Sequence, residues 1–180
     1  MAEEVKKKQS NIALTVLIVG AILFGAAAMS AATLALINSQ NSNKKVYTAS
    51  YLASEVVKKM NYENLSEISP SDISNYYDIP EGVVTDSAMF VSTRSDSYTE
   101  IACFKLKSNE SEKQLTKSID NYISAKKKTY QNVDDKAYAV VSAAKTDVHY
   151  PYVIVVISPD SDAAVSTFES IVSNTGQASV

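Results

Sequence analysis

The chain reads as an α+β protein in which an N-terminal transmembrane helix precedes a small domain with a four-stranded antiparallel sheet packed by helices, in the order ααββαββα. Three observations predict this class. An uncharged apolar stretch near the start is longer than a soluble core helix needs. Beyond it, amphipathic segments with three-and-four apolar spacing alternate with short runs rich in Val, Ile, Phe and Tyr. Those runs come in pairs joined by brief polar turns, the pattern of antiparallel hairpins.

The first element occupies residues 12–37. No charged side chain stands between Lys8 and Lys44. As a helix rising about 1.5 Å per residue the segment reaches roughly 39 Å, enough to cross a hydrocarbon core of about 30 Å with some tilt. Lys6, Lys7 and Lys8 precede it and a polar exit over 38–43 follows; the preceding lysines orient the N-terminus toward the cytoplasm, while Lys44 and Lys45 weaken that charge asymmetry. A cleaved secretory signal is the competing account, with Ala26, Ala27 and Ala28 offering small residues to a peptidase. The uncharged run continues past Ala28 to Ile37, which favours a retained signal-anchor, and both accounts export the same domain. Ala21 with Gly25, and Ala28 with Ala32, would let two such helices approach closely as a weak dimer. The organisation expected is a cytoplasmic tail over 1–11, a single span over 12–37, a polar linker over 38–45 and an extracytoplasmic domain over 46–176.

Within the domain, residues 46–60 place Ala49, Leu52, Ala53, Val56, Val57 and Met60 on one helical face. A polar link containing Pro70 leads to a short helix over 71–77, and Ile79, Pro80, Glu81 and Gly82 break regular structure. Strands are expected over 88–93 and 98–106 around the polar turn at 94–97. Asn109 with Glu112 looks like a capping pair for a long helix over 111–130, whose stripe is Leu115, Ile119, Tyr122 and Ile123. A second strand pair is expected over 138–144 and 152–158, around a turn at 145–150. The 152–157 run is apolar on both faces and marks a central strand. Asp160, Ser161 and Asp162 then offer capping acceptors to a last helix bearing Val165, Phe168, Ile171 and Val172.

Composition narrows the functional classes. A chain of 180 residues with one cysteine and a single histidine supports neither a disulfide framework nor a Cys- or His-based metal centre. A net charge of −3 gives no electrostatic footprint for nucleic acid. No glycine-rich phosphate loop, HExxH, GxSxG or Ser/Lys catalytic motif occurs, so no cofactor and no enzymatic activity are expected.

Over residues 46–172 the chain resembles the bacterial domain-of-unknown-function family 4358, common in Gram-positive envelope proteins, many of them lipoproteins. The resemblance lies in Lys58-Lys59-Met60 closing the first helix, in Tyr76-Tyr77-Asp78-Ile79-Pro80, in Glu100-Ile101-Ala102-Cys103-Phe104-Lys105, in Lys126-Lys127-Lys128-Thr129-Tyr130, and in the strand from Tyr152 to Ser158. Two places depart from the family pattern. His149-Tyr150-Pro151-Tyr152 stands where a Gly-Asn-Tyr turn is usual, and a membrane span replaces the lipid-bearing cysteine. The resemblance implies an envelope location and carries no reaction with it.

Each chemically suggestive residue has a plain structural role available. Cys103 lies in a strand, where a thiol behaves as a small hydrophobe. His149 sits beside Tyr150 and Pro151 in an expected turn. The carboxylates Asp134-Asp135 and Asp160-Ser161-Asp162 lack the alternating ligands of a calcium loop and suit helix capping. Lys126 to Lys128, with Lys113 and Lys117, read as a solvated helix face that complements the helix dipole. Among the eleven tyrosines, Tyr76, Tyr77, Tyr150 and Tyr152 are the candidate ligand surface, able to line a groove for a sugar or peptide if they share one face. The function expected is a non-enzymatic binding or scaffolding module of the cell envelope, held in the lipid bilayer by residues 12–37 and meeting an envelope protein or polymer. An envelope hydrolase using carboxylates and a pilin-like or secretion-apparatus subunit are the alternatives.

Overall fold

A computed structural model describes residues 46–173. The expected span over 12–37, its small-residue face and the linker over 38–45 lie outside the described residues. No helix among the described residues is long and apolar enough to cross a membrane.

Helix α1, Ala49–Lys59, is capped by Thr48, whose backbone is extended and whose hydroxyl accepts the Tyr51 N–H at 3.1 Å. It buries Ala49, Leu52, Ala53 and Val56 on one face, as their spacing dictates. Strand β1, Leu65–Ile68, follows, then a 3-10 helix at Pro70–Asn75. Strands β2, Val84–Ser92, and β3, Glu100–Leu106, form the expected hairpin, which a register shift between Val84 and Asp86 interrupts. A 3-10 turn at Asn109–Ser111 leads into α2, Glu112–Tyr130, and α3 spans Asp135–Ser142. Strands β4, Lys145–His149, and β5, Tyr152–Ile157, then pair, and α4 covers Ser161–Ser173.

The class is α+β and the sheet is antiparallel throughout, but it has five strands rather than four, in the order β1-β2-β3-β5-β4. The added strand is β1, which lies inside the expected polar link. Its alternating Leu, Ser, Glu and Ile bury little, yet each residue pairs with β2 from Leu65↔Ser92 to Ile68↔Met89. The second correction concerns residues 138–144, expected as a strand. Asp134 accepts the Ala137 N–H at 2.8 Å and caps a helix there, and Ala137, Val140 and Val141 bury at helical spacing. The strand partner of β5 therefore shifts into the expected turn: Lys145–His149 is β4, an edge strand half-polar enough to resemble a loop. Asn109 and Glu112 do not form a capping pair, because Asn109 itself opens a 3-10 turn and no side chain caps α2.

Helices cover both faces of the sheet. On one, Met89, Ala102, Phe104, Val153, Val155 and Ile157 pack against α2, α3 and the first 3-10 helix. On the other, Ala88, Ile101, Cys103, Ile154 and Val156 meet α1 and α4. Strand β5 is buried along its whole length, which is why its sequence runs apolar without alternation. Phe168 is completely buried in the α1/α4 layer. Replacing it, Phe168→Ala, is expected to lower stability by about 3–5 kcal/mol, read as a fall in the urea midpoint at unchanged slope.

Candidate functional site

The four tyrosines proposed as one ligand surface do not gather. Tyr77 is fully buried on the α2 face of the sheet, and Tyr76 packs beside it. Tyr152 points to the opposite face, where its hydroxyl donates to the Tyr47 carbonyl at 2.8 Å and accepts the Tyr47 N–H at 2.7 Å. Tyr150 is exposed in the β4–β5 turn, which contains a cis Tyr150–Pro151 bond.

What the fold does assemble is a buried cluster made from three of the quoted motifs. Glu100 opens β3 facing α2 and is only 8% exposed. Its Oε2 accepts the Tyr122 hydroxyl at 2.7 Å, and its Oε1 receives Lys126 Nζ. Lys126 also donates to Tyr122 at 3.0 Å and lies over that ring, 5.1 Å from its centroid. Helical spacing of four residues puts Tyr122 and Lys126 on one face of α2. Lys126 is thus drawn inward, against the expectation of a solvated face, while Lys127 and Lys128 occupy the last turn, where cations suit the helix dipole. Tyr77 packs against Tyr122 at 4.5 Å and edge-on to Phe104 at 5.2 Å. Burial, and secondarily the Glu100 charge, raise the phenol of Tyr122 far above the usual range and that of Tyr77 well above it. Both Glu100 oxygens are engaged, so the cluster fixes structure rather than offering a free base.

Next to it, at the end of the sheet where β3 begins, lies an open cleft of about 450 Å³. Its walls come from the α1–β1 loop (Asn61, Glu63, Asn64), the β2–β3 turn (Arg94, Asp96 and their neighbours to Thr99), the start of α3 (Lys136, Val140) and Pro159. Asn61 and Asn64 hold left-handed backbone, with φ of 52° and 57°, which asparagine tolerates best among residues with a side chain. The Asn64 carbonyl receives the N–H and the hydroxyl of Thr93 at 2.8 and 2.9 Å, tying that loop to the hairpin turn. Across the cleft, Arg94 grips Asp96 with two bonds of 2.8 and 2.7 Å, and Lys136 Nζ donates to the Asp96 carbonyl at 2.7 Å. Tyr98 donates to Asp134, the same carboxylate that caps α3, and packs on Tyr130 at 5.4 Å.

These contacts set the ionisation of the cleft. The Arg94 hydrogen bonds hold Asp96 down to about 2. The Ala137 N–H, then the Tyr98 hydroxyl, keep Asp134 below its usual value. Asp96 is therefore a permanent anion at neutral pH, unsuited to delivering a proton.

The remaining candidates take structural roles. Cys103 is fully buried, and burial pushes its thiol up, away from the reactive thiolate. His149 ends β4 opposite Tyr152. Asp162 lies in the first turn of α4, where a carboxylate suits the helix dipole, and also pairs with Lys145 at 3.0 Å. No group of three or more His, Cys, Asp or Glu among the described residues is placed to hold a metal ion. The cleft residues went unnoticed in the sequence because they arise from three distant loops. Only the Asn61-Tyr62-Glu63-Asn64 run, with its two asparagines before a strand, hinted at a specially shaped turn.

The architecture defines an α+β domain with one antiparallel sheet between two helical layers. The family model described as Domain of unknown function (DUF4358) matches residues 58–158, from the end of α1 to the residue after β5. That is more than half of the chain, and the protein belongs to this family. No curated protein and no solved structure matches the chain.

The two neighbouring tyrosines should respond oppositely to loss of a hydroxyl. Tyr77 Oη is buried with no hydrogen-bond partner, so Tyr77→Phe is expected to be neutral or to stabilise by about 1 kcal/mol. Tyr122→Phe removes a donor to a buried carboxylate and should cost about 1.5–3 kcal/mol, both read by urea denaturation. A second expectation concerns acid. Because the folded-state value of Asp96 lies below its ordinary 3.8, its contribution is complete above that pH and disappears as pH falls toward about 2. Asp96→Asn should flatten the decline of melting temperature across that window and leave the region above pH 5 without this slope.

Proposed function

We propose that the protein is a membrane-anchored binding or scaffolding module of the bacterial cell envelope. In this reading residues 12–37 span the bilayer once, the first eleven residues stay in the cytoplasm, and the domain from Val46 onward works outside, where its cleft receives an envelope protein or polymer. The observation that supports binding is the cleft itself: its walls are pinned by Arg94–Asp96, Lys136–Asp96 and Asn64–Thr93 contacts before any partner arrives. A site already ordered loses little entropy on binding. Location is supported by the uncharged stretch between Lys8 and Lys44.

The alternatives fit less well. A carboxylate hydrolase needs one acid that is protonated near neutral pH, and the guanidinium-bound Asp96 is the reverse. A pilin-like subunit needs the apolar helix to run unbroken into residues 46–60, whereas Val46, Tyr47 and Thr48 are not helical and Thr48 caps a new helix.

Two measurements test the reading. A C-terminal tag on the full chain should be degraded by protease added to intact spheroplasts; a fully protected tag would overturn the external placement. A photo-crosslinking residue at Glu63, in the cleft wall, should trap one stoichiometric envelope component, while the same residue at exposed Glu169 on α4 should not. Equal trapping at both positions, or none at Glu63, would remove the cleft from the function.

A further inference from the structure

The end of the domain opposite the cleft carries exposed apolar side chains where the chain enters from residue 45. Val46 is 70% exposed, Tyr51 42% and Tyr150 45%. The fold brings them to one end. Tyr51, in the first turn of α1, stacks on Tyr47 at 4.9 Å and 10°. The Tyr47 backbone is bonded to the Tyr152 hydroxyl, and Tyr152 begins β5 just after the turn that holds Tyr150. The Ala49 N–H donates to Asp86 Oδ2 at 2.7 Å, fastening the same end of α1 to the start of β2. The other large exposed apolar residues, Val133 and Tyr138, belong to the α2–α3 connection and α3, near the cleft.

We infer that this end rests on the headgroup layer of the bilayer, with Val46, Tyr51 and Tyr150 as interfacial anchors. The inference depends on the anchored reading above. A linker of about eight residues over 38–45 reaches at most roughly 28 Å even when fully extended, which bounds the distance of Val46 from the lipid surface and leaves headgroup contact within reach. Tyrosine suits that zone, because its ring enters the apolar margin while its hydroxyl stays among polar headgroups. The partner is phospholipid, and the contact rests on the apolar and aromatic Val46, Tyr51 and Tyr150 rather than on the charge of Lys44 and Lys45 that precede them, so salt does not release it. Seated in this way, the domain turns its cleft away from the lipid, toward the wall and the space beyond it.

The chain contains no tryptophan, so one introduced indole reports its own surroundings. Full-length Tyr51→Trp, Tyr150→Trp and Tyr138→Trp variants, each checked for an unchanged melting transition, are reconstituted in phosphatidylcholine vesicles containing lipid with a nitroxide on its headgroup. Emission from the Tyr51→Trp and Tyr150→Trp variants should be quenched about threefold more than that from Tyr138→Trp, with or without added phosphatidylglycerol and at high salt. Equal quenching of the three, or quenching abolished by salt, would overturn the docked orientation. A Phe24→Trp variant with nitroxide deep in the acyl chains separates the two levels of the argument. If it is quenched while Tyr51→Trp and Tyr150→Trp are not, the anchor stands and the docking falls; if it too escapes, both fall.

Discussion

The structure depends on the burial of β5 from both sides. Every residue from Tyr152 to Ile157 is removed from water, Val153, Val155 and Ile157 toward α2 and α3, Tyr152, Ile154 and Val156 toward α1 and α4. Each such aliphatic side chain contributes roughly 1.5–3 kcal/mol relative to exposure. Neither helical layer can be removed without returning one side of this strand to solvent. Strand β3, paired to it from Glu100↔Ile157 to Lys105↔Tyr152, shares the same condition. The other elements assemble around these two strands, and the loops at their ends inherit fixed positions.

One of those ends brings charge into the interior. Glu100 stands at the first position of β3, where the sheet gives way to the hairpin turn, and its burial is tolerated because Tyr122 and Lys126 reach it from the adjoining helix. An ion pair of this kind adds little net stability compared with an apolar substitute, but it is intolerant of misplacement. It ties α2 to the start of β3 at one defined point. Through the Tyr98–Tyr130 contact and the Asp134 cap, the same helix positions the cleft wall formed by α3.

Legibility in the sequence followed the strength of the local signal. The amphipathic faces of α1, α2 and α4, the β2–β3 hairpin and the central position of β5 were readable because periodicity and apolar content directly encode burial; the full helical cover on both sides of β5 was not. The misread elements share a cause. Residues 138–144 are rich in Val, Ala and Tyr, which suit either state, and the deciding group is a single carboxylate, Asp134, which precedes the segment. Strands β1 and β4 lie on the sheet edges, bury little, and so lack an apolar pattern. The candidate site was less legible than the fold. Tyr76, Tyr77, Glu100 and Lys126 were visible as parts of motifs, but their convergence is a tertiary fact. The cleft depends on side chains scattered from Asn61 to Pro159, and no local pattern links them.

The two edge strands have a consequence for the behaviour of the molecule among its own copies. An open sheet border is a template for adding foreign strands, and among the described residues no further strand covers either border of this sheet. Strand β1 has only four residues and displays Glu67; β4 has five and carries Lys145 and Asp147, the former tied down to Asp162. Short length and alternating charge make stacking of one sheet onto the next unfavourable. Many copies crowded into a small area can therefore remain separate folded units.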